Sequence, residues 1–195
     1  MRRNLIRWGA WAAIAATLVT VVPVSAGPPP TGFGTVMPEP GPLAVIPVQH
    51  IWTTYVNPTY GTSISYPANV FTQSPDSPQG NDFIRFNSRD GRADFYISSS
   101  ASELPRSLDD IYADTEAVIQ EDKQVRVTYR KKENNWFVLN GYYNDKEFFR
   151  KTVLADDGLI LGIFQINFPK DQRDRYNEIR VQMSRSFQPV LNPRR

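Results

Sequence analysis

Apolar residues recur at two spacings between Ile51 and Pro189, and the spacings divide the segment into strands and helices. Trp52–Val56 predicts a strand ended by Asn57-Pro58, and Thr62–Tyr66 a second one stopped by Pro67. Ser74–Gly80 is built of turn residues and predicts a loop. Asp82–Asn87 and Ala93–Ser99 predict paired strands joined through Asp90-Gly91, with Phe95 and Ile97 on one face. Ser107 then stands where a helix N-cap belongs, with Asp109 and Asp110 in the first turn. Leu108, Ile111, Tyr112, Thr115, Val118 and Ile119 follow at helical spacing, so a helix is expected over 107–120.

The second half reads as an antiparallel meander. Over Gln124–Lys131 the residues alternate, placing Val125, Val127 and Tyr129 on one side and Arg126, Thr128 and Arg130 on the other. Trp136–Tyr143, Lys146–Leu154 and Leu159–Phe168 are the next strands, separated by Asn144-Asp145 and Asp156-Asp157-Gly158. The last strand is apolar on both sides for most of its length, which predicts a central position covered on both faces. A final helix starts from Pro169-Lys170-Asp171, with Tyr176, Ile179 and Met183 as its apolar stripe, Phe187 continuing it, and Gln188-Pro189 ending it. Strands, helix, meander, helix is the order of an α+β domain: a mainly antiparallel sheet layered with helices.

The first 48 residues follow other rules. Arg2, Arg3 and Arg7 precede Trp8–Val22, a run of apolar and small residues, then Pro23 and Val24-Ser25-Ala26. This is the layout of a signal peptide cleaved after Ala26, which delivers the chain to the periplasm or beyond. The run is short for a membrane span of about 20 residues; an uncleaved leader would instead anchor the protein in the inner membrane. Arg2-Arg3 also resembles a twin-arginine signal, although general secretion is the simpler route. Residues 27–48 form a proline-rich linker, 51–189 a single domain, and 190–195 a tail.

Removal of 1–26 changes the charge argument. The whole chain has 22 Lys+Arg against 20 Asp+Glu, but three of the arginines are in the leader. The mature balance is near neutral, which excludes a globally basic nucleic-acid binder. With no cysteine and one histidine, His50 at the end of the linker, disulfides, thiolate metal sites and histidine-rich metal centres are excluded. A Ser-His-Asp triad has no histidine within the domain. The phosphate-binding loop and the dinucleotide fingerprint are also missing, so no cofactor is expected.

Two clusters remain. Arg126, Arg130, Lys131 and Lys132 lie on or beyond one strand, and Lys146, Arg150 and Lys151 lie two strands later. These seven residues would flank a central aromatic strand and offer a patch to an anionic ligand or an acidic protein; solvation of an exposed outer face, which keeps strand edges from pairing, is the simpler account of them. Asp109, Asp110, Asp114 and Glu116 are carboxylates of the kind that glycan hydrolysis requires, but helix capping and solvation also explain them.

Punctuation residues carry a resemblance over most of 51–189. Tyr55-x-Asn57-Pro58-x-Tyr60-Gly61-x-x-Ile64-x-Tyr66-Pro67, the Asp90-Gly91 hairpin, Trp136-Phe137-Val138-x-x-Gly141-Tyr142 and the terminal Arg185-Ser186-Phe187 resemble exported bacterial proteins of the PsbP/Mog1-like group. The resemblance implies an αβα sandwich used for binding and assembly support, with no shared catalytic set. Three functions stand on this reading. The first is a non-catalytic module that binds an envelope protein. The second is a periplasmic carrier of a small or lipid-like anion, and the third a glycan hydrolase working through carboxylates.

Overall fold

The computed structural model describes residues 49–77 and 82–189; the leader, the linker up to residue 48, the end of the loop after Ser77 and the tail lie outside them. Strands β1 (Trp52–Val56) and β2 (Ser63–Pro67) form an antiparallel ribbon of their own. The main sheet comprises β3 (Phe71–Gln73), β4 (Phe83–Ser88), β5 (Asp94–Ala101), β6 (Val125–Lys132), β7 (Trp136–Tyr143), β8 (Lys146–Ala155) and β9 (Ile160–Pro169). Its order is β3-β4-β5-β9-β8-β7-β6 and every pairing is antiparallel. Helix α1 (Leu108–Glu121) lies on one face, and α2 (Arg173–Ser186) with the ribbon on the other. The chain is thus the layered α+β sandwich expected, with one addition: β3 is too short to show a period in the sequence and was not anticipated.

Strand β9 sits in the middle of the seven and is buried almost throughout. On its α2 side Phe164, Ile166 and Phe168 join Phe95 and Ile97 of β5 in the principal core. Tyr176, Ile179, Met183 and Phe187 close it from above, as their helical spacing predicts. The rings interlock: Phe86 stacks on Phe95 at 4.5 Å, and Phe168 on Tyr176 at 5.3 Å. The ribbon adds Ile64 and Tyr66, and Tyr66 stands 4.7 Å from Phe86. On the opposite face Tyr112 of α1 meets Phe137 of β7 edge-on at 5.1 Å. Ser107 caps α1 as expected, its Oγ accepting from the Asp110 amide at 3.1 Å.

One expectation fails, and the failure shapes the site. The alternation over Gln124–Lys131 is interrupted by a bulge: Val127 pairs with Gly141, but Tyr129 pairs with the next residue back, Asn140. Thr128 is the additional residue, and each side chain beyond it turns to the opposite face. Tyr129 therefore faces α2, away from Val127, and Arg126 and Arg130 lie on different faces rather than together. The partner strand is adapted to this. A Cβ at Gly141 would stand 2.1 Å from the Arg126 carbonyl oxygen and 2.8 Å from the Val127 Cα. Only glycine lets the bulged strand approach so closely. Gly141→Ala is expected to lower the unfolding free energy by about 2 kcal/mol or more, read from urea denaturation. A change below about 0.5 kcal/mol, the range of ordinary surface substitutions, would mean that the bulge relaxes without cost.

Candidate anionic docking surface

The bulge and the strand alternation divide the seven predicted basic residues between two faces. Arg130, Lys132, Lys146 and Arg150 lie on the α1 side; Arg126, Lys131 and Lys151 lie on the α2 side. Strands β6 and β8 do flank the aromatic β7, as the sequence suggests, yet the seven side chains do not form one patch.

On the α1 side Arg130, Lys132 and Lys146 are matched by acids. Arg130 Nε donates to Glu116 Oε1 at 2.8 Å and Nη2 to Glu116 Oε2 at 3.3 Å. Lys132 pairs with Asp109, and Lys146 with Asp94 at 3.4 Å. Arg150 donates to the Tyr96 hydroxyl. These contacts fasten α1 to β6 and bind β8 to β5.

On the α2 side the cations lie over aromatic rings. Lys131 and Lys151 place their ammonium groups 5.5 and 5.8 Å from the Trp136 centroid. Lys170 and Arg173 stand 4.9 and 6.0 Å from the Tyr142 ring, and Arg180 stands 5.3 Å from Phe149. Each ring presents its negative face to a cation. Two of these cations are ion-paired: Lys131 with the exposed Glu133, and Arg173 with the buried Glu147 at 2.7 Å. Lys151 and Arg180 are half-buried and make no ion pair among the described residues. Lys151 Nζ donates to the Ser184 carbonyl at 2.8 Å, in the last turn of α2 where the helix dipole favours a cation. Arg180 Nε donates to Asn177 Oδ1 at 2.7 Å. Burial pushes the Lys151 ammonium below the ordinary lysine value. Burial likewise lowers Arg180, with Arg173 acting in the same direction and Glu147 against it. Both are charges partly withdrawn from water; at Lys151 no carboxylate offsets the loss, and at Arg180 Glu147 offsets only part of it. Beside them Arg126, Tyr142, Lys170, Asp171, Arg173 and Asp174 line an open hollow of about 570 Å³.

Lys170, Arg173 and Arg180 are additional to the seven basic residues of the sequence expectation, which rests on the strands and takes only the apolar stripe from the final helix. A signal was present. Arg173 and Arg180 are seven residues apart, two turns of one helix face, with Asn177 between them.

The four carboxylates considered for glycan chemistry are each engaged. Asp109 pairs with Lys132 and Asp114 with Arg106, while Asp110 accepts from the Ser107 hydroxyl at the N-cap. The hydrogen bond from Arg130 holds Glu116 below the ordinary value of 4.5, against the opposing effect of burial. A general acid needs the reverse shift. A second hollow of about 330 Å³, lined by polar residues such as Arg106, Asn134 and Asp156 and by apolar Leu108 and Leu154, is open rather than the enclosed apolar cavity that a lipid carrier requires. Because the Glu116 pKa is depressed on folding, its stabilisation is present above pH 4.5 and is lost as pH falls through the folded value. Glu116→Gln should lower stability at neutral pH by about 0.5–1 kcal/mol and leave it unchanged in strong acid. An equal loss at both pH values would show that the pair contributes packing rather than charge.

No family description matches the sequence, and no curated protein matches it. Solved structures do. The solution structure of cyanobacterial PsbP (CyanoP) from Synechocystis sp. PCC 6803 superimposes with a TM-score of 0.54 at 14% identity, over 77% of this chain and 100% of that one. The crystal structure of the Saccharomyces cerevisiae Ran-binding protein Mog1p gives 0.49 at 8% identity, over 73% and 97%. The likeness to cyanobacterial PsbP concerns architecture, and it bears out the PsbP-like fold that the punctuation residues implied.

Proposed function

We propose that this chain is an exported, non-catalytic binding module that supports an assembly of the bacterial envelope. It docks an acidic face of a partner protein on the α2-side surface of β6–β8. One observation carries the reading: Trp136, Tyr142 and Phe149 are covered by five cations, two of which, Lys151 and Arg180, are half-buried with no ion pair among the described residues. Withdrawing a charge from water is unfavourable unless an anion replaces the water. Carboxylates on a partner would do so, and the rings beneath supply the broad, rigid contact area that protein interfaces favour. The cations are spread over a shallow surface rather than gathered in a cleft, which suits dispersed acidic side chains better than a single small ligand. Fold likeness at this identity is consistent with binding but does not choose the partner.

Tyr129, half-exposed and turned onto this surface by the bulge, is the place for a photo-crosslinking side chain. Irradiated cells should yield one discrete protein adduct. Lys151→Glu with Arg180→Glu should abolish the adduct, and Lys132→Glu on the opposite face should leave it intact. Urea denaturation of both variants confirms that the fold persists. Equal adducts in both variants, or none with the unaltered surface, would overturn the reading.

A further inference from the structure

A sheet edge presents unpaired amides and carbonyls to any extended chain, and proteins guard such edges with charge, bulges or brevity. Both edges of the main sheet are guarded. Strand β6 carries Arg126, Arg130, Lys131, Lys132 and the bulge at Thr128, and β3 is only three residues long. The ribbon forms a sheet of its own. Its β2 edge is occupied: Ser63 and Gln188 exchange backbone hydrogen bonds at 2.8 and 3.0 Å, and the Ser65 amide donates to Ser186 Oγ at 2.9 Å. Its β1 edge has no strand beside it among the described residues.

The register shows which groups β1 leaves unpaired. The Ala68 amide donates to the Ile51 carbonyl, and the Asn57 amide to the Thr62 carbonyl, both at 2.7 Å. These bonds mark alternate residues, so Thr53 and Tyr55 direct their backbone groups to Tyr66 and Ile64 of β2. Trp52, Thr54 and Val56 direct theirs outward. Pro67, which has no amide to give, stands opposite Trp52, as this assignment requires. The pairing with β2 is one-to-one, without a bulge. Thr53, Thr54 and Val56 are exposed, and Val56 and the adjoining Ile51 keep 56% and 65% of their surface in water. The edge also lacks charge. From Pro40 to Pro75 there is no Asp, Glu, Lys or Arg, although these residues make up 22% of the chain.

We propose that β1 is the edge at which two copies of this chain pair, antiparallel and about a two-fold axis through Thr54. In that register Trp52 of one copy stands opposite Val56 of the other, Thr53 opposite Tyr55, and Thr54 opposite Thr54. The outward residues then oppose one another, and each exchanges both backbone hydrogen bonds with the residue it faces. The side chains agree with the backbone, since aromatic with β-branched and threonine with threonine are favourable cross-strand pairs. The same operation on β6 would bring arginines and lysines together. Absence of charge on β1 admits a second copy without repulsion and offers nothing to steer a charged partner. The pairing joins the two ribbons into one four-stranded sheet and uses no residue of the anionic docking surface.

Analytical ultracentrifugation of the purified protein over a concentration series tests this, with amide exchange as the site-resolved readout. The mass should rise from monomer to dimer with a dissociation constant below about 1 mM. The Thr54 amide should gain protection as the dimer forms, while the Thr53 amide, already bonded to β2, changes little. Thr54→Pro removes an outward donor without touching the β2 ladder, and Thr54→Lys sets two ammonium groups opposite each other. Each should weaken dimerisation about ten- to a hundredfold. Thr72→Lys, at an exposed position of β3, should leave it unchanged. Urea denaturation of each variant checks that the fold persists. A monomer at every concentration, or a dimer that survives both Thr54 variants, would overturn the proposal. Protection of the Thr54 amide in a monomer would also overturn it, and would assign the edge to residues 27–48 of the same chain.

Discussion

The structure depends on the burial of β9 on both faces. A strand apolar on both sides must be covered from above and below, and one helix covers one side. The chain answers with α2 and the β1–β2 ribbon on one face and α1 on the other. Phe95, Phe164, Ile166, Phe168 and Tyr176 are wholly buried as a result. Each large side chain of this kind contributes about 1.5–3 kcal/mol on transfer from water, so their sum outweighs any of the surface ion pairs, worth about 0–1 kcal/mol each. Hydrophobic cover sets the architecture, and charge decides what each face can meet.

The two faces use charge differently. Against α1, Arg130 and Lys132 meet Glu116 and Asp109, and the pairs help to seat the helix. Against α2, Lys151 and Arg180 meet rings, a carbonyl and an amide oxygen. The difference follows from sequence position. Helix α1 brings acids at 109 and 116 over the basic strand, whereas α2 brings arginines at 173 and 180 beside the aromatic one. The bulge at Thr128 completes the division by sending Arg126 and Tyr129 to the α2 side and Arg130 to the α1 side.

Much of the fold was legible because periodicity is a local property. The α1 cap at Ser107, the central place of β9 and the stripe Tyr176–Ile179–Met183 all follow from spacing and turn residues. The bulge was not legible, because Gln124–Lys131 alternates without interruption in the sequence and the additional residue is defined only by the partner strand. The signal lay across the sheet, in Gly141, whose missing side chain admits the displaced backbone. The seven basic residues could be identified by type. Which of them share a face depended on that bulge, and which are paired depended on how α1 and α2 lie on the sheet.

The central claim is that the α2-side surface meets an acidic protein while the α1 side does not. Lysine acylation footprinting in intact cells, compared with the purified protein, tests it most directly. Lys131, Lys151 and Lys170 should lose labelling in cells, and Lys132 should label equally in both. Equal labelling at all four, or protection centred on Lys132, would contradict the account.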